Sequence, residues 1–216
     1  MNAAPPAEPT ISVALCTFNG ADFLREQLDS IATQTILPNE LVVSDDGSSD
    51  ATISILRDFA ARAAFPVRIL QTESKLGSSK NFEYAIRHCT ATIVALSDQD
   101  DIWRSHKLEK LRTALNDNND AGFVFSDSDL IDENGQPLHA RAWQWHGFDS
   151  ASYNVETPNQ QFRRLISGSF VTGATMAFRR HLFPTLQPFP VEWYHDVWIA
   201  MVSNAFQWRG DRKSVV

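Results

Sequence analysis

The sequence has few cysteines and fewer basic than acidic residues. Its two cysteines among 216 residues, Cys16 and Cys89, lie in apolar surroundings, so we expect buried free thiols in a reducing cytoplasm rather than a disulfide framework or a metal site. The sequence contains 19 basic and 26 acidic residues, which gives a formal net charge of −7. A protein that binds nucleic acid needs a basic surface, so this balance argues against nucleic acid as a partner.

Long apolar segments are also missing. No run approaches the roughly 18 residues needed to span a bilayer, so the sequence predicts no transmembrane segment, although peripheral association with the inner face of a membrane is compatible with it. The first ten residues, MNAAPPAEPT, have neither the basic start nor the apolar core of a signal peptide and are predicted to form a flexible leader. We therefore expect a cytoplasmic protein that forms one domain with a substantial core.

Short β-rich runs alternate with helical patterns along the first half of the chain. The intervening segments carry apolar residues at spacings of three and four, as in Leu24, Leu28 and Ile31, which is the pattern of an amphipathic helix. Asp50 can cap the second of these helices. This rhythm with short connections predicts an α/β fold whose mostly parallel central sheet is covered by helices on both faces. The predicted strands comprise residues 11–16, 40–44, 67–71, 91–96 and 123–126.

The pattern weakens after residue 132. Residues 139–160 are aromatic and polar without a clear period, and we interpret them as a loop. A short apolar run at residues 175–178 follows Gly173, and a last helix is expected to begin near Asp196. No repeat, low-complexity segment or internal linker is evident in the sequence, which again favours a single domain.

Polar and acidic residues follow several of the predicted strands. They are CTFNG at residues 16–20, DDGSSD at 45–50 and DQDD at 98–101, and the fifth strand adds Asp127 and Asp129. These segments meet at one edge of a parallel sheet, where ligands of such folds bind. Converging carboxylates repel one another unless a cation lies among them, and oxygen ligands without a histidine or cysteine cluster select Mg²⁺ or Mn²⁺. Such an ion most often bridges to phosphate, so the sequence predicts a nucleotide or another phosphorylated ligand.

Each acidic segment also has a simpler interpretation. Asp45 and Asp46 can form a solvated turn, and residues 98–101 can cap the following helix, with Asp101 as the capping residue. The sequence contains neither GxxxxGK[ST] nor GxGxxG, so a nucleotide would be held without either of those loops.

Several segments together resemble the family-2 glycosyltransferases. Thr17-Phe18-Asn19, ELVVSDDGSSD, SKLGSSKNFEYAI, LSDQDDIW and YHDVWIA occur in this order, between about residues 10 and 205. The motifs are most similar to those of bacterial rhamnosyltransferases and cell-surface polysaccharide transferases. The resemblance implies a nucleotide-binding sandwich of the GT-A type, with a nucleotide-binding half at about residues 11–130 and an acceptor half at about 131–206.

The same resemblance implies an activity. It predicts inverting transfer of a sugar, with rhamnose as the candidate, from a UDP- or dTDP-sugar to the hydroxyl of a glycan or lipid-linked acceptor in cell-surface polysaccharide synthesis. In such an enzyme Asp46 accepts a hydrogen bond from the N3–H of uracil or thymine, and Thr17 and Asn19 line the same pocket. Asp100 is the expected direct ligand of Mn²⁺ or Mg²⁺, and Asp98 lies closer to the ribose.

The remaining roles implied by the resemblance concern the diphosphate and the acceptor. Lys80 is a candidate phosphate contact, and it can equally be a solvated surface lysine; Phe82 stands where the family often carries an arginine. Asp196 is the expected general base that deprotonates the acceptor hydroxyl, and the alternative is that it caps the final helix. His195 is expected to orient or pack, and Gly173 to allow a close backbone approach.

The resemblance also concerns Trp103, Lys107 and the end of the chain. Trp103 and Lys107 are expected to pack and pair around the metal-binding loop. Family members usually continue with a strand and a basic segment that closes over the donor, whereas residues 207–216 resemble neither, so the sequence suggests a truncated chain. Two other functions stay open: a nucleotide-binding remnant with weak or no catalysis, and a glycosidase, which also uses paired carboxylates but needs no nucleotide pocket.

Overall fold

A computed structural model describes residues 8–168 and 170–207, which form a mixed α/β fold around a central sheet. The predicted fold class is confirmed. The strands are β1 (Ile11–Thr17), β2 (Glu40–Asp45), β3 (Val67–Gln71), β4 (Ile93–Ser97), β5 (Phe123–Phe125), β6 (Asp129–Ile131), β7 (Pro137–Arg141) and β8 (Met176–Arg179). The helices are α1 (Leu24–Ala32), α2 (Thr52–Ala60), α3 (Ser78–His88), α4 (Lys107–Asp117), α5 (Ala142–Trp145), α6 (Ser150–Val155), α7 (Pro158–Ser167), α8 (Phe183–Leu186) and α9 (His195–Gln207).

The six-stranded central sheet has the order β3-β2-β1-β4-β8-β5. Strands β1 to β4 pair in parallel, as predicted, whereas β8 lies antiparallel between β4 and β5. Because β8 runs antiparallel to both β4 and β5, β5 runs in the same direction as β4. The carboxyl ends of β1, β2, β4 and β5 therefore meet at one edge, as the candidate site requires.

The core lies on both faces of this sheet. Alternate residues of β1 join different hydrophobic clusters: Val13 and Leu15 pack with α1, α2 and α4, while Ala14 and Cys16 pack with α3 and α9. A strand buried on both faces has a continuous apolar sequence, which is why the unbroken apolar runs predicted these strands. Cys16 and Cys89 are buried free thiols, as expected.

The segment at residues 139–160, interpreted above as a loop, is largely ordered structure, so that interpretation is wrong. It contains the end of the β6–β7 hairpin and the helices α5 and α6, and α7 begins at Pro158. The aromatic rings of Trp143, Phe148 and Tyr153 surround Phe125 at centroid distances of 5.8 to 6.0 Å. Tertiary packing of these rings orders helices too short to show a period.

Two predicted boundaries lie near the ends of the described residues. Within the predicted leader, residues 1–7 fall outside the description, while Thr10 exchanges hydrogen bonds with Thr92. Of the predicted tail at 207–216, only Gln207 is described, as the last residue of α9. Among the described residues, no helix combines the length and apolar character needed to cross a bilayer.

Candidate active site at the carboxyl edge of the sheet

The ends of β1 and β2 are tied together by Asp45. Its fully buried carboxylate accepts hydrogen bonds from the Thr17 hydroxyl at 2.7 Å and from the Ser48 backbone N–H at 2.9 Å. Asn19, with φ of 48°, adds a second link because its side-chain oxygen accepts from the Ser49 N–H at 2.9 Å. Thr17 and Asn19 therefore shape this edge through internal hydrogen bonds, at the place where the resemblance puts the base pocket.

Asp46 points to the neighbouring loop instead of to solvent. Its side chain is 4% exposed and accepts from the backbone N–H groups of Leu76 and Gly77 at 2.6 and 2.9 Å, and from the Thr72 hydroxyl at 3.3 Å. The expectation of a solvated turn is wrong for Asp45 and Asp46, since both are buried. A carboxylate has about four acceptor positions, so Asp46 retains capacity for one more donor.

The DQDD segment after β4 differs from Asp45 and Asp46 in its hydrogen bonding. Within the described part of the chain, no donor forms a hydrogen bond with the carboxylates of Asp98, Asp100 or Asp101, and Oδ2 of Asp101 is buried without a partner. Burial, together with the charges of Asp101, Asp100 and Asp196, raises the pKa of Asp98 to about 7. Burial likewise raises the pKa of Asp101 to about 6. Of the described carboxylates that follow the strands, these are the ones without a hydrogen-bond donor.

Asp101 does not cap the following helix, contrary to the simpler interpretation. Helix α4 begins at Lys107, and no side chain of residues 98–101 bonds to its first turn. The backbone N–H of Leu108 instead donates to Oε1 of Gln34 at 3.0 Å, while Nε2 of Gln34 donates to the Arg104 carbonyl at 2.9 Å. Gln34, just after α1, thus performs the capping that the simpler interpretation assigned to the acidic motif.

The inner face of α1 supports the acidic loop with polar side chains. The buried amide of Gln27 lies 2.6 Å from the Ser97 hydroxyl, and the Ser30 hydroxyl accepts from the backbone N–H of Trp103 at 3.0 Å. These contacts were missed in the sequence, where α1 read as an ordinary amphipathic helix. The available signal was the spacing of Gln27, Ser30 and Gln34, which places three polar side chains on one helical stripe.

The acidic strand ends do not all converge on one cation, which corrects the earlier expectation. Asp127 pairs with Arg141 at 3.1 Å, and Asp129 pairs with Arg104 at 2.6 Å. Among the described residues, no group of three or more His, Cys, Asp or Glu side chains is placed to hold a metal. The unpartnered oxygens of residues 98–101 nevertheless fit Mg²⁺ or Mn²⁺, because such ions are commonly held by one or two carboxylates together with substrate phosphates.

Asp196 lies in the first turn of α9. Its Oδ2 accepts from the Gly173 N–H at 2.9 Å and its Oδ1 from the Val197 N–H at 2.7 Å. The carboxylate is half-buried, and its charge is among those that raise the pKa of Asp98. The fold thus brings the candidate base into the electrostatic field of the acidic motif, although the two are far apart in sequence.

His195 packs as expected. Its ring stacks on Phe82 with centroids 3.7 Å apart, and burial lowers its pKa to about 4, so the imidazole is neutral at physiological pH. A Cβ atom at position 173 would collide with Nε2 of this ring, which explains why a glycine stands there. Phe82, at the position of the family's arginine, is therefore part of the core beneath α9.

The two lysines near the site have different surroundings. Lys80, on the first turn of α3, forms an ion pair with Glu83 at 2.8 Å and stays partly exposed. Lys107 is half-buried: its Nζ lies 4.1 Å from the Trp103 ring centroid and donates to the Ala174 carbonyl. Burial lowers the pKa of Lys107 to about 7, and the charges of Asp101 and Asp98 oppose that shift.

Comparison with known proteins identifies the family. The model of glycosyl transferase family 2 matches residues 12–186, most of the chain. The chain belongs to glycosyl transferase family 2. Asp196 lies just beyond the matched range of this family-2 glycosyltransferase domain.

Two relatives with similar sequences are named as glycosyltransferases. An uncharacterized glycosyltransferase of Nostoc sp. is 28% identical over 187 residues, which cover 85% of this chain and 55% of that protein. A Bacillus subtilis protein, provisionally named as a teichuronic acid biosynthesis glycosyltransferase, is 27% identical over 131 residues, covering 61% of this chain and 51% of that protein. This family-2 chain spans about half the length of the curated relatives it matches.

Solved structures establish the fold type. Staphylococcus aureus TarS 1–349 in complex with UDP-GlcNAc matches with a TM-score of 0.71 and 21% identity, covering 96% of this chain and 56% of that one. The mannosyltransferase PcManGT from Pyrobaculum calidifontis, in complex with GDP-Man and Mn²⁺, matches with a TM-score of 0.68 and 23% identity, covering 98% and 56%. The family-2 domain thus has the expected GT-A fold.

Proposed function

We propose that this chain transfers a sugar, with inversion, from a UDP- or dTDP-sugar to a hydroxyl of a glycan or lipid-linked acceptor in cell-surface polysaccharide synthesis. The observation that carries the proposal is the group Asp98–Asp101 at the carboxyl edge of the sheet, whose carboxylates have no hydrogen-bond donor among the described residues and which lies in the electrostatic field of Asp196. Structural neighbours bind UDP-GlcNAc or GDP-Man, both nucleoside diphosphate sugars, which supports a donor of this class. Rhamnose as the transferred sugar rests on the similarity of the motifs.

The nucleotide half supplies the donor contacts in this proposal. Asp100 would hold Mn²⁺ or Mg²⁺, which offsets the charge on the departing diphosphate. Asp98 lies toward the ribose, and Lys80 can exchange its Glu83 partner for a phosphate oxygen. Asp46 accepts from the base N3–H beside Thr17 and Asn19, whose internal hydrogen bonds hold the pocket in place before the base arrives.

Asp196 acts on the acceptor. Its carboxylate takes the proton of the acceptor hydroxyl while the oxygen attacks the anomeric carbon in line, and the bond to the nucleotide diphosphate breaks on the opposite side of that carbon. The N–H groups of Gly173 and Val197 fix the orientation of the carboxylate.

A cleft beside the first turn of α9 suits a sugar acceptor. It has a volume of about 210 Å³, and the rings of Trp193 and Tyr194 lie in its wall, 40% and 74% exposed. Glu192 adds a carboxylate that can accept from sugar hydroxyl groups. Amphipathic aromatic rings beside hydrogen-bonding groups are suited to sugars, which present both apolar C–H faces and hydroxyls.

A donor screen tests the proposal. Thermal shift with UDP, dTDP and GDP, each with and without Mn²⁺, should show metal-dependent stabilisation by the first two. Incubation of the same sample with nucleotide sugars and glycan acceptors should then give a glycosylated product with inverted anomeric configuration. A glycosidase would ignore the nucleotides, and a remnant would bind them without product, so either pattern contradicts the proposal.

Asp46→Ala should remove the preference for uridine and thymidine nucleotides. We expect weaker binding of UDP and dTDP by about 1.5–3 kcal/mol, as for a hydrogen bond to a charged group, measured by calorimetry. GDP should bind both proteins weakly. Because Asp46 also holds the loop at residues 72–77, Thr72→Val serves as control: it removes one loop contact and should leave base preference intact. Equal affinity of the wild type for GDP and UDP would rule out this pocket.

Trp193→Ala should raise the acceptor KM by about tenfold, equivalent to roughly 1.4 kcal/mol of lost stacking, and leave the donor KM nearly unchanged. Steady-state kinetics with each substrate varied in turn measures both values. Trp145→Ala is the matched control, since Trp145 is 77% exposed and does not line the cleft. A donor KM that rises as much as the acceptor KM would place Trp193 outside the acceptor site.

A further inference from the structure

We infer that Lys107 is a positioning residue: it connects the acidic motif to the turn that orients Asp196, and so fixes the candidate base relative to the donor site. This inference rests on the proposed function, and it concerns a residue that is neither a proposed donor contact nor the candidate base. The turn at Gly173–Thr175 is a single 3₁₀ turn that directly precedes β8.

Three consecutive residues of this turn are each bound to a different element. The Gly173 N–H donates to Oδ2 of Asp196 in α9, at 2.9 Å. The Ala174 carbonyl accepts from Nζ of Lys107, the first residue of α4. The Thr175 carbonyl accepts from the N–H of Ser126, just after β5, at 3.2 Å. The backbone position that orients Asp196 is therefore adjacent to the one that Lys107 holds.

The type of side chain matters at position 107. A lysine stem is long enough to reach across from α4, and its ammonium lies over the face of Trp103, where a cation is attracted by the ring. Its charge also acts on Asp98 and Asp101, whose carboxylates have no hydrogen-bond donor among the described residues. One ammonium thus contacts the turn beside the base and compensates the acidic motif.

Two opposite effects follow from removing this ammonium. The turn loses its link to α4, so Asp196 is held less well, and small misplacements of a reacting group can cost about 100-fold in rate. The acidic motif, in contrast, loses a nearby positive charge that competes with a bound cation. Metal-dependent nucleotide affinity should therefore stay the same or increase while turnover falls, which a general loss of structure would not produce.

The test compares Lys107→Met, which keeps the stem over Trp103, with Lys107→Arg, which keeps the charge and donors. Lys110→Met is the matched control, because Lys110 is an exposed lysine of the same helix. We expect kcat to fall about 10- to 100-fold in Lys107→Met, with the Kd of UDP and Mn²⁺ within about threefold of wild type or tighter. Lys107→Arg should recover most of the loss, and Lys110→Met should match the wild type.

Hydrogen exchange gives a readout that does not depend on activity. Peptides that cover residues 172–176 should exchange about tenfold faster in Lys107→Met than in the wild type or in Lys110→Met, because local opening of the turn becomes easier. Unchanged exchange in Lys107→Met would overturn the inference whatever the activity. A parallel loss of kcat and nucleotide affinity would also overturn it, whereas absence of transfer by the wild type itself would count against the proposed function alone.

Discussion

Replacing Asp196 by asparagine is expected to lower turnover by about 10²–10⁴-fold, the usual effect of losing a general base, while nucleotide affinity stays nearly intact. The amide oxygen of asparagine can still accept from the Gly173 N–H, so the turn and the start of α9 should persist. What disappears is the ability to take a proton from the acceptor. Measurement of kcat with a donor found by screening, together with the Kd of UDP and Mn²⁺, separates chemistry from binding.

Asp50→Asn is a suitable control for this substitution. The N-cap residue of α2 is Ala51 and not Asp50, as the sequence had suggested, but the Asp50 carboxylate still accepts from the Thr52 N–H at 3.0 Å. Asp50 is thus a carboxylate at a helix start without a place in the proposed chemistry. Its replacement should change turnover by less than about twofold, because asparagine caps helices nearly as well. If Asp196→Asn turns over as fast as the wild type, Asp196 is a structural carboxylate of α9 and the base lies elsewhere.

Much of the fold was predictable because its elements have strong local patterns. Leu24, Leu28 and Ile31 of α1 are fully buried, as their spacing indicates, and the apolar strands β1, β2 and β4 lie in the sheet as expected. The edge at which the acidic segments meet follows from strand direction alone. Local pattern and topology therefore located the candidate site without any knowledge of side-chain contacts.

The parts that could not be predicted depend on contacts between distant residues. Nothing local indicates that Arg141 pairs with Asp127 and Arg104 with Asp129, so the three acidic segments looked alike in the sequence. The antiparallel insertion of β8 between β4 and β5 is likewise set by tertiary pairing. The acidic strand ends can be distinguished only once their partners are known. Among the described residues, the carboxylates of Asp98, Asp100 and Asp101 are the ones without a hydrogen-bond donor.

Because Asp100 is the proposed metal ligand, its substitution should affect nucleotide binding mainly when metal is present. Asp100→Ala should abolish most of the increase in UDP or dTDP affinity that Mn²⁺ produces in the wild type, since a carboxylate that would hold the ion is lost. We expect the affinity with Mn²⁺ to fall by about 100-fold, or roughly 2.7 kcal/mol. Binding without metal should not weaken, because removal of one carboxylate reduces repulsion of the phosphates. Calorimetry of both nucleotides with and without Mn²⁺ measures the two affinities separately.

Glu133→Ala is the matched control for charge. Glu133 and Asp100 both line a groove of about 510 Å³ beside the acidic loop, and both are exposed. Each substitution removes one negative charge from that groove, so a general electrostatic effect on metal or nucleotide would appear in both variants. A ligand role predicts a loss confined to Asp100→Ala. Equal effects of the two substitutions, or unchanged metal dependence in Asp100→Ala, would remove Asp100 from the metal site and leave the unpartnered Oδ2 of Asp101 as the next candidate ligand.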